Sequence, residues 1–165
     1  MADFVHLTNK TEYSLSEGAL PIARIAELCQ SFSMPAVGIS DNNNMFGALE
    51  FSEQIAKVGV QPILGCNIKI KTPKEYLHEN IEDNDLYFYL NIFSKNNEGY
   101  ENLLKCVSNA YTFNKGNAYV TVDDLIKFKD GLIILSGGNN SILTHSTGQM
   151  ITKQSQQFIY DFKKE

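Results

Sequence analysis

Short apolar runs that alternate with segments of helical periodicity constrain this chain more than any other feature. Phe4 to Thr8, Ala36 to Ser40, Pro62 to Ile70, Leu86 to Phe93 and Gly131 to Ser136 read as strands. Between them, Pro21 to Phe32, Met45 to Val58, Glu98 to Tyr111 and a short stretch through Phe128 read as helices. Ile22, Ile25, Cys29 and Phe32 recur at helical spacing and are expected to face the core, as are Leu49, Ile55 and Val58 in the next helix. Pro21 suits a first helical turn, where its missing N–H costs nothing. Gly59 is placed to end a helix in the left-handed region. Asn96 or Asn97 is a cap for the third helix, and Thr121 with Asp124 has the spacing of a capping box. Asp41 to Asn44 reads as a polar loop, Thr72 to Asp85 as an exposed excursion, and Met150 to Glu165 as a helical tail. The class is α/β, with a parallel or mixed sheet that could form part of a barrel.

Charge and composition exclude several functions. The net charge is −5, and the lysines are scattered. A nucleic-acid-binding domain usually carries a basic face, so no direct nucleic-acid binding is expected. Lys69, Lys71 and Lys74 come closest to a cluster and read as an exposed strand edge and loop. No apolar run approaches the roughly 18 residues of a membrane span, and Met1-Ala2-Asp3-Phe4 lacks the opening of a secretory signal. Cys29, Cys66 and Cys106 are odd in number and far apart, which suits reduced, buried thiols in the cytoplasm rather than a zinc site.

Five segments, in order, carry a more specific signal. They are Phe4-Val5-His6-Leu7-Thr8-Asn9-Lys10-Thr11-Glu12-Tyr13-Ser14-Leu15, then Met34 to Asp41 continued by Asn44 to Phe51, then Pro62-Ile63-Leu64-Gly65-Cys66, then Ser94 to Leu103, and finally Gly131 to Gly137. This series resembles the polymerase and histidinol phosphatase (PHP) domain at the N-terminus of bacterial DNA polymerase III alpha subunits. The resemblance implies a PHP-type fold, a distorted, TIM-like β/α barrel, of which residues 1–165 would carry one domain or its leading part. The polymerase catalytic domains would lie elsewhere.

In metal-binding members of that family, His, Asp, Glu and Cys at strand ends hold a metal cluster that activates water for phosphate-ester hydrolysis. The resemblance maps those ligand positions onto Thr8, Lys10, Asp41, Asn42, Asn67, Tyr89 and Gly138. Only Asp41 remains a good ligand there, so a degraded metal site, with no metal and no catalytic residue in this chain, is expected. Asp41 is then expected to accept backbone N–H bonds in its loop, or to pair with Lys10. His6 is expected to pack or hydrogen-bond, and His78 to be solvated. His145 has no partner nearby in the sequence. Gly137 to Asn140 reads as a turn, since it lacks a phosphate-loop pattern.

The implied function is that of a module of a replicative DNA polymerase, whose nucleotidyl transfer would use magnesium bound elsewhere. Its implied partners are the rest of the polymerase chain and a proofreading exonuclease subunit. The competing readings are an active metal-dependent phosphoesterase, hydrolysing pyrophosphate or a DNA 3′ end, and a stand-alone binding domain.

Overall fold

The computed structural model describes residues 4–74, 87–113, 117–136 and 157. Eight of the expected elements appear among the described residues, in the expected order. They are α1 (Ile22–Ser31), β1 (Ala36–Asn42), α2 (Ala48–Lys57), β2 (Gln61–Lys71), β3 (Tyr87–Ser94), α3 (Asn97–Phe113), α4 (Val122–Lys127) and β4 (Leu132–Leu135). The sheet is mixed and runs in the order β1-β2-β3-β4. The β1–β2 pair is parallel, joined by the α2 crossover, and places Asp41 opposite Cys66 and Asn42 opposite Asn67. The β2–β3 and β3–β4 pairs are antiparallel.

Local chemistry sets the ends of these elements. Pro21 is the N-cap of α1 rather than its first helical residue. The cap role falls to Glu12, whose carboxylate accepts the Ile22 N–H at 3.1 Å from the N-terminal segment. Gly59, at φ +76°, stops the chain after α2 as expected. Asn96 Oδ1 accepts the Gly99 N–H at 2.9 Å and caps α3. Thr121 Oγ1 accepts the Asp124 N–H at 3.1 Å and caps α4.

Two apolar clusters lie between the helices and the sheet. Ile22, Ile25, Cys29, Val37, Ile39, Phe51 and Ile55 join α1 and α2 to β1. Cys66, Ile68, Ile70, Phe88, Leu90, Ile92, Leu103, Cys106 and Leu125 join α3 and α4 to β2 and β3. Each large side chain so buried contributes about 1.5–3 kcal/mol relative to exposure.

The structure corrects other expectations as well. Phe4 to Thr8 is not a strand; it flanks β1 and is tied there by Gly38 N–H to His6 O (2.7 Å) and Ser40 N–H to Asn9 O (2.8 Å). Phe32 follows the last residue of α1 and is 61% exposed. Leu49 is 70% exposed, because the buried stripe of α2 runs through Ala48, Phe51 and Ile55. Asp41 and Asn42 belong to β1, not to a loop. The expected helical tail apart from Gln157, the acidic part of the excursion, Gly137 to Asn140, His78 and His145 lie outside the described residues.

Candidate functional site

Side chains alternate along a strand, so β1 sends Asp41 and Asn42 to opposite faces. Asp41 is 1% exposed and lies opposite Cys66, on the helix side. Its Oδ1 accepts the Thr11 N–H at 2.7 Å and the Ser14 hydroxyl at 2.5 Å. Its Oδ2 accepts the Thr11 hydroxyl at 2.7 Å. The carboxylate therefore clips the N-terminal segment to the end of β1. Lys10 is not its partner: Lys10 Nζ pairs with Glu17, which lies just along the same irregular segment. Of the two roles expected for Asp41, accepting a backbone N–H is the one the geometry displays.

Asn42 and Asn67, cross-strand neighbours, share the other face. Asn67 Nδ2 donates to Asn42 Oδ1 at 2.9 Å. Lys10 first, and the Asn42 side chain second, hold the Glu17 carboxyl below its ordinary range. Tyr89 lies nearby on β3; burial chiefly, and then the charge of Glu17, push its phenol upward. Ser40 and Asn91 extend the same polar face, with Ser40 Oγ–H donating to Asn91 Oδ1 at 2.6 Å. Lys10, Asn42 and Tyr89 thus come together around Glu17, and Asn67 joins them through Asn42. Thr8 is exposed on the flanking segment and makes none of these contacts. Gly138 lies outside the described residues.

Several contributors were missed by sequence reasoning. Glu17, Thr11 and Ser14 lie in or beside the opening motif, where the resemblance marks only Thr8 and Lys10. Asn43, at φ +50°, donates its N–H to Asn67 O (2.9 Å) and accepts the Lys69 N–H at Oδ1 (2.8 Å). Its amide nitrogen donates to Ala118 O at 3.2 Å. It extends β1 by side-chain chemistry after the strand has ended. The run of asparagines after an apolar strand was the available signal.

Among the described residues, no three His, Cys, Asp or Glu side chains gather closely enough to share a metal ion. The thiols are also out of play: Cys29, Cys66 and Cys106 are free and buried, and burial pushes Cys106 up to about 12. His6 is exposed; its backbone carbonyl serves β1 and its ring meets Phe4 edge-on at 4.7 Å.

Comparison with known proteins decides the family. The model of the PHP domain matches residues 6–163. The chain belongs to the PHP domain family. The DNA polymerase III subunit alpha of Haemophilus influenzae is 34% identical to it over 136 residues, which is 82% of this chain and 11% of that protein. The Rickettsia felis subunit is 36% identical over 135 residues, 81% of this chain and 10% of that one. The Helicobacter pylori subunit is 38% identical over 112 residues, covering 66% and 9%. This PHP chain therefore spans about a tenth of the length of the curated relatives it matches. Among solved structures, one described as a metal-dependent phosphoesterase from Bifidobacterium adolescentis matches 78% of this chain and 51% of its own, at 14% identity and a TM-score of 0.47. No helix among the described residues is long and apolar enough to cross a membrane.

Proposed function

We propose that this chain is the PHP module of the alpha subunit of a bacterial replicative DNA polymerase, and that it acts as a scaffold rather than as a metal-dependent hydrolase. In that role it supports the polymerase chain and docks a proofreading exonuclease subunit in the cytoplasm. The parent protein carries out nucleotidyl transfer with residues outside this chain.

The chemistry at the seven family ligand positions is the observation that carries the reading. A PHP metal cluster needs deprotonated acceptors converging on one point. The residues here do not fit that need. Lys10 brings an ammonium, which a carboxylate already neutralises. Asn42 and Asn67 are neutral amides bound to each other. Asp41 offers a carboxylate, but both of its oxygens hold protein donors on the helix side of the strand. A network satisfied in this way serves rigidity, which a scaffold requires.

The test has two arms. Elemental mass spectrometry after purification with manganese and zinc should find no stoichiometric metal. Titration calorimetry with the exonuclease subunit of the same organism should give saturable binding. A chelator-resistant metal together with hydrolysis of pyrophosphate or a DNA 3′ end would overturn the scaffold reading in favour of a phosphoesterase.

A further inference from the structure

The polar face of the sheet changes character beyond Asn67. There β1 has ended, and residues 117–120 take its place beside β2. Val120 N–H donates to Lys69 O and Lys71 N–H to Val120 O, both at 2.9 Å. On the other side of β2, Lys69 lies opposite Tyr89 and Lys71 opposite Tyr87. Lys69 and Lys71 are therefore flanked on both sides and half-buried, not on an exposed strand edge. Ile70 and Val120 enter the core, so Lys69, Lys71, Tyr87 and Tyr119 share the opposite face.

These four side chains interleave. Lys69 Nζ lies 4.1 Å from the Tyr87 ring centroid, and Lys71 Nζ lies 5.1 Å from that of Tyr119. The two rings stand 5.4 Å apart, tilted by 47°. Asn117 ties the group together: its Oδ1 accepts from Lys69 Nζ at 2.9 Å, and its Nδ2 donates to the Tyr87 hydroxyl at 3.1 Å. Among the described residues, neither ammonium has a carboxylate in ion-pair range, unlike Lys10 and Arg24. Two like charges at alternate positions of one strand repel each other, and cation–π contacts of roughly 0.5–1 kcal/mol do not neutralise them. An anion resting on both would. A ligand that also offers flat π-faces would use the rings.

We propose that Lys69, Lys71, Tyr87 and Tyr119 form a binding platform for a single-stranded polynucleotide. The ammoniums meet neighbouring phosphates, and the rings stack beneath bases. Much of the net charge of −5 falls in the sequence that joins Lys71 to Tyr87, where Glu75, Glu79, Glu82, Asp83 and Asp85 outnumber Lys74, and it limits the platform to a short strand held locally. A duplex keeps its bases stacked on one another and cannot use the rings.

The test is fluorescence anisotropy of the full chain with labelled oligothymidylate, with oligouridylate, and with a duplex of equal length, over a range of salt. Either single strand should bind about tenfold or more tightly than the duplex, and the better of the two identifies DNA or RNA. Two phosphate contacts predict a log–log salt slope of about −1.4 for a single strand. Changing Lys69→Gln with Lys71→Gln should flatten that slope. Tyr87→Leu should weaken binding about tenfold while leaving the slope unchanged, and Tyr119→Leu does the same should Tyr87→Leu fail to fold. Equal binding of the duplex, a slope indifferent to the lysines, or affinity indifferent to both rings would each overturn the proposal.

Discussion

The clip at Asp41 offers a clear separation between a structural carboxylate and a metal ligand. In Asp41→Ala, the Thr11 N–H and the Thr11 and Ser14 hydroxyls lose their acceptor in a buried place. The hydroxyls can rotate, and Ser14 Oγ already accepts the Asn42 N–H at 3.0 Å. The Thr11 N–H cannot move without its backbone. Hydrogen bonds to a charged group contribute about 1.5–3 kcal/mol each, and a stranded buried donor costs about 1–3. Allowing for partial relaxation, the loss should be about 3–5 kcal/mol. For a domain of this size that corresponds to a fall in Tm of about 10 °C. Asp41→Asn keeps one acceptor oxygen but turns an amide toward the Thr11 hydroxyl, which already accepts from the Tyr13 N–H. It should lose about 1–2 kcal/mol. Lys10→Ala, which leaves the clip intact, should change stability by less than about 1 kcal/mol. The assay is thermal unfolding by circular dichroism, in chelator and again in manganese. A Tm for Asp41→Ala close to that of the parent, or a loss seen only with manganese present, would refute the structural role.

Three further outcomes are expected. Glu17 has its folded-state pKa depressed below the usual 4.5, so its stabilisation is present above that value and fades as pH falls through the lower, folded value. Glu17 is more than half exposed, so Glu17→Gln should cost less than about 1 kcal/mol at neutral pH, and nothing in strong acid or high salt. Gly38→Ala would set a Cβ 2.4 Å from Leu7 O, forcing the N-terminal segment off β1. A loss of about 2–3 kcal/mol, with an unchanged m-value in urea, should follow. Burial raises all three thiols, so a disulfide reagent at mildly alkaline pH should react slowly with the native chain and fully after denaturation; a rapid first equivalent would contradict this.

The elements were legible in the sequence because periodicity and caps agree along the chain. Asn96, Thr121 and Gly59 each end or start a helix where their chemistry places them. Errors arose where a pattern ran past its element. Phe32 continues the spacing of Ile22, Ile25 and Cys29, but α1 ends at Ser31 and the chain turns away. Leu49 is one position off the buried stripe of α2, and a count of apolar residues does not distinguish the two. The site was harder to read for a different reason. Resemblance located positions 41, 42, 67 and 89, but a strand's extent decides which face each residue takes. A strand that ends at Ser40 makes Asp41 and Asn42 loop neighbours; β1 runs through Asn42 and separates them. Lys10 then meets Glu17, seven positions along its own segment, rather than a carboxylate across the fold.

The polar face also resists regaining a ligand one residue at a time. In Asn67→Glu, Asn42 Oδ1 loses its donor and faces a carboxylate instead. Lys10 is already paired with Glu17, whose carboxylate sits beside Asn42, so it offers no free charge to a second carboxylate. With no added cation, the new carboxyl is disfavoured in its charged form, so its folded-state pKa rises above the unfolded value. Stability relative to the parent should then be lowest at neutral pH, by about 1–2 kcal/mol, and recover as pH falls through the raised value and the protonated group donates to Asn42. Unfolding of both proteins across the acid range measures this directly. If Asn67→Glu matched the parent at neutral pH, or fell further behind it in acid, the face would already tolerate an anion. The self-satisfied network would then be the wrong account of why these residues sit together.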